Sequence, residues 1–174
     1  QEPQQVVIDS QWLTTLPKEE IRSGFAEMLK HGLIADSKYW EELKTLEHLN
    51  PKVLSSFIKP SVAIKSKVVK EDPREKGLRK ILNFGHTLGH AIESYFLVEK
   101  DKQRLLHGEA IAIGMVLEAY LSTHCSGLSQ EEALDIKTTF SGFYPKTKIT
   151  KKDIEAILAL LRHDKKNKAG RVNF

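Results

Sequence analysis

"LNFGHTLGHAIESY", Leu82 to Tyr95, is the stretch on which the reading of this chain turns. Its period is helical, and it sits in a predicted helix over residues 78–97. Two histidines, His86 and His90, stand four apart in it, each directly preceded by a glycine. Helical positions four apart lie one above the other, so the two imidazoles project from one face about 6 Å apart. Such a pair can share a metal ion or divide two tasks, and the competing reading is a structural or surface pair. Glu93, three further on, extends the face into a local metal stripe of His86, His90 and Glu93. Gly85 and Gly89 weigh for function, since each costs a helix about 1 kcal/mol relative to alanine. A cost of that size signals close approach by a backbone or a ligand.

The helical period continues on both sides. Pro17 opens "KEEIRSGFAEMLKHGLIAD", where Ile21, Phe25, Met28, Leu29 and Leu33 recur at three and four. "SKYWEELKTLEHL" forms a second helix that stops before Pro51, and a third runs over residues 52–69 with a kink or break expected at Pro60. "KEDPREKG", with Pro73 and Gly77, reads as a loop. Further helices are predicted over residues 107–125, 129–141 and 151–164. The β-branched run Val6 to Ile8 reads as a short edge strand or an interdomain connection. The expected architecture is a mainly α domain of about seven helices with a short N-terminal strand, spanning residues 1–174.

Composition narrows the function. At 174 residues, 40% hydrophobic and 29% charged, the chain is long enough for one domain with a real core. The net charge is +4, but 27 basic residues are interleaved with 23 acidic ones, which argues against a nucleic-acid partner and for a basic pocket holding a small anion. The single cysteine, Cys125, excludes an intrachain disulfide and a zinc knuckle and agrees with a reducing compartment. The longest apolar run, "GEAIAIGMVLEAYL", is interrupted by Glu109 and Glu118 and is too short to span a bilayer, and no signal-peptide pattern opens the chain. A soluble, cytoplasmic protein is expected. The chain begins at Gln1 without methionine and closes on "AGRVNF", a turn leading into a truncated strand, so a domain of a longer protein is expected.

Three further signals accompany the histidine pair. His107 in "LLHGEAIAIGM" stands where a polar stretch gives way to an apolar helix, placing it in that helix's first turn. Glu27 in "GFAEMLKHG" borders a buried stripe, where an unpaired carboxylate is costly; Lys30, three on, or a metal would satisfy it. A basic set of Lys65, Lys67, Arg79 and Lys80 precedes the histidines, and helical spacing puts Arg79, Asn83 and His86 on one face. Cations beside a metal indicate an anionic substrate held by charge-assisted hydrogen bonds. A solvated basic face is the alternative for Lys67 and Lys80.

"RSGFAEMLKHGLI", "KEDPREKGLRKILNFGHTLGHAIE", "LHGEAIAIGM" and "RHDKKNKAG" together resemble, in order and spacing, the C-terminal helical half of the 3-dehydroquinate synthases. The resemblance covers essentially the whole chain and implies that an N-terminal NAD-binding half is absent from it, leaving no NAD-binding residues here. It implies a metal site, Zn2+ or Co2+, at Glu27, His86 and His107, with His90 moving protons rather than ligating. It implies further that Lys30 and Asn83 join His90 in catalysis, and that Lys65, Arg79 and, from "DKK", Lys165 or Lys166 bind substrate. Arg79 and Lys65 become the candidates for the substrate carboxylate. The implied reaction converts 3-deoxy-D-arabino-heptulosonate 7-phosphate to 3-dehydroquinate and phosphate, with NAD as hydride carrier and a homodimer as the whole enzyme. The alternatives are a related cyclase acting on sedoheptulose 7-phosphate or making an inosose, whose substrates lack the carboxylate, and a non-catalytic helical module.

Overall fold

The computed structural model describes residues 4–163. These form seven α-helices: α1 (Lys18–Ala35), α2 (Ser37–Lys44), α3 (Pro51–Glu71), α4 (His86–Val98), α5 (His107–Cys125), α6 (Gln130–Phe143) and α7 (Lys151–His163). Two short 3-10 helices, Ser10–Thr15 and Leu78–Asn83, complete the described residues.

The caps explain most boundaries. Asp36 accepts the Tyr39 N–H at the start of α2, Asn50 accepts the Val53 N–H ahead of Pro51 in α3, and Ser129 with Glu132 forms a reciprocal capping box on α6. Glu19 and Glu20 place negative charge in the first turn of α1.

Helix α5 is the central element. Ile111, Ala112, Met115 and Ala119 pack with Phe25, Leu29, Leu43 and Phe140 in one core cluster, while Ala110 joins Leu88, Ile92, Phe96, Ile157 and Leu161 in a second. One helix therefore separates α1, α2 and α6 from α4 and α7, and its closest partnership is with α4.

Four expectations are corrected. Val6, Val7 and Ile8 form no strand: they are solvent-exposed, and no strand among the described residues is there to pair with them. Helix α3 runs unbroken through Pro60. The second helix ends at Lys44, after which Leu46 and Leu49 turn onto the core instead of continuing it. The helix expected over residues 78–97 is two elements, because Gly85 adopts φ 79°, a left-handed conformation that a helix cannot contain. No helix among the described residues is long and apolar enough to cross a membrane.

Candidate metal centre

His86 is the first residue of α4, His90 lies one turn on, and His107 is the first residue of α5. Their ring centroids stand 5.2 Å (His86 to His90), 5.6 Å (His86 to His107) and 5.7 Å (His90 to His107) apart. One nitrogen from each falls within 4.8 Å of the others.

This convergence depends on two helix starts meeting closely. A Cβ on Gly114 of α5 would overlap the Gly85 carbonyl oxygen, one on Gly85 would overlap the Met115 side chain, and one on Gly89 would come within 2.6 Å of Ile111 Cδ1. The glycines of the opening stretch thus sit where α5 approaches closely, with its backbone and side chains. At the other side of α5, Ser23 Oγ accepts the Gly108 N–H at 2.9 Å and Arg22 pairs with Glu109 at 2.6 Å, fastening the α5 start to α1.

Hydrogen bonds fix which nitrogens face inward. His86 Nδ1 lies 3.2 Å from the Phe84 carbonyl, which can only accept, so Nδ1 carries the proton and Nε2 keeps its lone pair. That Nε2 stands 3.6 Å from Glu27 Oε1, an atom buried without a hydrogen-bond partner. His107 Nδ1 lies 3.1 Å from Glu93 Oε2. The Glu93 carboxylate therefore sits behind His107, and the local stripe of His86, His90 and Glu93 gives way to a group of His86, His90 and His107.

Lys30 is almost wholly buried and donates from Nζ to Glu27 Oε2 and to the Leu82 carbonyl, each at 2.7 Å. Burial pushes the Lys30 ammonium down from its ordinary value, against the pull of Glu27. Burial pushes the Glu27 carboxyl up, but the Lys30 charge and hydrogen bond, with smaller help from His86 and His31, outweigh it and hold the group below the usual carboxylate range. Burial, followed by the Lys30 charge, lowers His86 to about 4. At neutral pH the site thus holds a carboxylate beside a neutral imidazole, the protonation states that a metal ligand needs.

The remaining expected site residues are more scattered. Asn83 and Arg79 occupy the 3-10 helix before α4, where Asn83 Nδ2 donates to Glu75 Oε1 at 2.6 Å and an Arg79 guanidinium nitrogen donates to the Pro73 carbonyl at 3.0 Å. The break at Phe84 and Gly85 removes the helical spacing on which a face shared with His86 had rested. Asp72 organises this loop by accepting the backbone N–H groups of Lys76, Gly77 and Arg79. Lys65 is exposed on α3, near enough for its charge to act on Lys30. Lys67 and Lys80 are exposed. Lys165 and Lys166 lie outside the described residues.

Glu118 escaped the sequence reading, which treated it as an interruption of an apolar run. It is buried in α5, and its carboxylate accepts the backbone N–H groups of Gly85 at 2.6 Å and Leu88 at 3.2 Å. The available signal was a lone acid inside "IAIGMVLEAYL", a position that demands a partner.

Three imidazole nitrogens converge here from α4 and α5, with the Glu27 carboxylate of α1 beside His86, and the His107 side chain is 46% exposed. Imidazole nitrogens with a carboxylate beside them are donors that suit zinc or cobalt.

The comparisons with known proteins give the family and the fold. A family model described as 3-dehydroquinate synthase C-terminal matches residues 24–167. The 3-dehydroquinate synthase of Parabacteroides distasonis is 40% identical over 171 residues, 97% of this chain and 48% of that protein. The one from Geobacillus kaustophilus is 41% identical over 178 residues, 99% of this chain and 47% of that protein. The chain therefore spans about half the length of these relatives. A solved structure of 2-deoxy-scyllo-inosose synthase, complexed with carbaglucose-6-phosphate, NAD+ and Co2+, superposes with a TM-score of 0.72 at 28% identity, over 90% of this chain and 44% of that one. These matches establish that the chain belongs to the 3-dehydroquinate synthase C-terminal family.

Proposed function

We propose that this chain is the metal- and substrate-binding half of a 3-dehydroquinate synthase, acting with an NAD-binding half to convert 3-deoxy-D-arabino-heptulosonate 7-phosphate into 3-dehydroquinate and phosphate. The observation that carries the reading is Glu27 Oε1, buried, unpartnered and turned toward the lone pair of His86. Two acceptors face to face repel unless a cation lies between them. Glu27, His86 and His107 are the proposed ligands, and His90, within the same cluster, is left to move protons at the substrate. When bound, Zn2+ or Co2+ supplies Lewis-acid polarisation of a substrate hydroxyl.

The chain's own residues prepare the site. Lys30 keeps Glu27 ionised and aims its second oxygen away from the cluster. The Phe84 carbonyl and the Glu93 carboxylate fix the ring orientations of His86 and His107 from behind. Lys65 and Arg79 bind the substrate carboxylate, with Lys165 or Lys166 on the phosphate. Asn83 engages substrate by exchanging its bond to Glu75 for one to the ligand. Like the related cyclase, which was solved with a sugar-phosphate analogue, NAD+ and Co2+, the whole enzyme takes a small anionic substrate and both cofactors.

The test is formation of dehydroquinate and phosphate by the chain joined to its NAD-binding half, with NAD and Zn2+ or Co2+ supplied. The 174-residue chain alone should give no turnover. Product formation by that chain alone would overturn the division of labour. The likeness to an inosose synthase keeps one second reading in view, and turnover of glucose 6-phosphate in place of the carboxylate-bearing substrate would establish it.

A further inference from the structure

The start of α4 has an unusual defect. Its N-cap residue is Gly85, which has no side chain to accept the first orphan N–H groups, and no side-chain cap from its own segment replaces it. Two of these donors belong to buried residues, Gly85 and Leu88. The acceptor comes from another helix. Glu118, three turns along α5 and 3% exposed, accepts from Gly85 N–H at 2.6 Å and Leu88 N–H at 3.2 Å, and Thr87 N–H also donates to it. These donors bracket His86 in sequence, one residue before it and one and two residues after it. The same turn contains the Phe84 carbonyl that fixes the His86 ring.

We propose that Glu118 is a positioning residue of the metal centre, a cap supplied in trans by α5 that holds the backbone on both sides of His86. The proposal rests on the metal-centre reading above. Two constraints then define the distance between His86 and His107. Backbone contact of Gly114 with Gly85 sets how closely the helices approach. Glu118 sets the rotation and register of the first α4 turn, and a negative charge at a helix start also favours its dipole. Apolar packing alone would leave that turn free to slide along α5, because packing is non-directional and three N–H groups shared by one carboxylate are not.

The experiment is Co2+ titration of the chain, followed through the visible d–d absorption of the bound ion, for wild type, Glu118→Ala, Glu118→Gln and Phe140→Leu. Phe140 is buried in α6 and serves as a control for lost stability away from the centre. Outer partners of metal ligands are typically worth about 10–100-fold in affinity. Glu118→Ala should lose at least about 10-fold in Co2+ affinity and shift the absorption bands. Glu118→Gln, which keeps one acceptor but presents an NH2 group to the other donors, should fall between Ala and wild type. Phe140→Leu should keep the wild-type spectrum. Wild-type affinity and spectrum in Glu118→Ala, or in Glu118→Gln where the Ala variant does not fold, would overturn the proposal. Equal losses in Phe140→Leu would also overturn it, by reducing Glu118 to general stability. If the wild type itself takes up no Co2+, the metal-centre reading falls, and the positioning role with it.

Discussion

Glu27 Oε1 lies 3.6 Å from His86 Nε2 with no partner of its own, while the other oxygen of the same carboxylate is held at 2.7 Å by Lys30. With His86 Nδ1 committed to the Phe84 carbonyl, Nε2 and Oε1 are both acceptors, and 3.6 Å is too long for a hydrogen bond between them. The ion proposed between them would resolve the arrangement. His86→Ala in the complete enzyme is therefore expected to lose both metal and activity. His90→Ala should keep its metal and lose rate by about 10²–10⁴-fold, the usual worth of a positioned acid or base. Metal analysis and turnover measured side by side decide the matter: equal zinc loss in the two variants would move the ligand set to His86, His90 and His107.

The pairing of Glu93 with His107 separates a ligand from an orienting group. If Glu93 orients, Glu93→Gln should retain most of the metal affinity, since an amide oxygen still accepts from Nδ1–H. Glu93→Ala should then lose about 10–100-fold. If Glu93 ligates directly, Gln and Ala should fail alike. Equilibrium dialysis against Zn2+ with both variants distinguishes the two cases.

The helices were legible because their apolar period and caps are local properties: α5 begins and ends at the residues that its sequence marks, His107 and Cys125. The break at Gly85 was not, because "FGHT" carries helical spacing on both sides and the left-handed turn is imposed by the Met115 and Gly114 packing of a helix far away in sequence. The same holds at the site. His86 and His90 announce themselves four apart, whereas His107 and Glu27 join them only through the α1, α4 and α5 contacts. Local position marks each of them, His107 at a helix start and Glu27 beside a buried stripe, but only the family resemblance joins them to His86 as one ligand set. Glu93 and Glu118 are each four residues or fewer from recognisable motifs, yet their partners lie 14 and 33 residues away, beyond any local pattern.

The glycines at the α4 and α5 crossing predict a contrast in stability. Gly114→Ala puts a methyl group into the Gly85 carbonyl and should destabilise by about 1–3 kcal/mol, the usual range for overpacking. Gly142, in α6, has nothing within 4 Å of the position that an alanine methyl group would take. Gly142→Ala should be neutral or stabilising by up to about 1 kcal/mol. Urea unfolding of the two variants measures both, and equal effects would contradict the crossing geometry.

His31 predicts how the metal-free chain responds to acid. It is buried between α1 and α3, its Nδ1 is 2.7 Å from Ser61 Oγ, and its Nε2 has no partner. Burial, then the Lys30 charge, lowers it from 6.5 to about 4. Between those two values the unfolded chain takes up a proton that the folded chain refuses, so stability is full above about pH 6.5 and falls as the pH drops toward 4. A shift of that size corresponds to a loss on the order of 3 kcal/mol from this residue. His86, lowered to about 4 as well, acts in the same direction, whereas Glu118, raised by burial, acts in the opposite one. Comparing wild type with His31→Asn isolates the first contribution. Denaturation across this window should show a shallower decline in the variant, and parallel curves would mean that His31 is not held neutral by the fold.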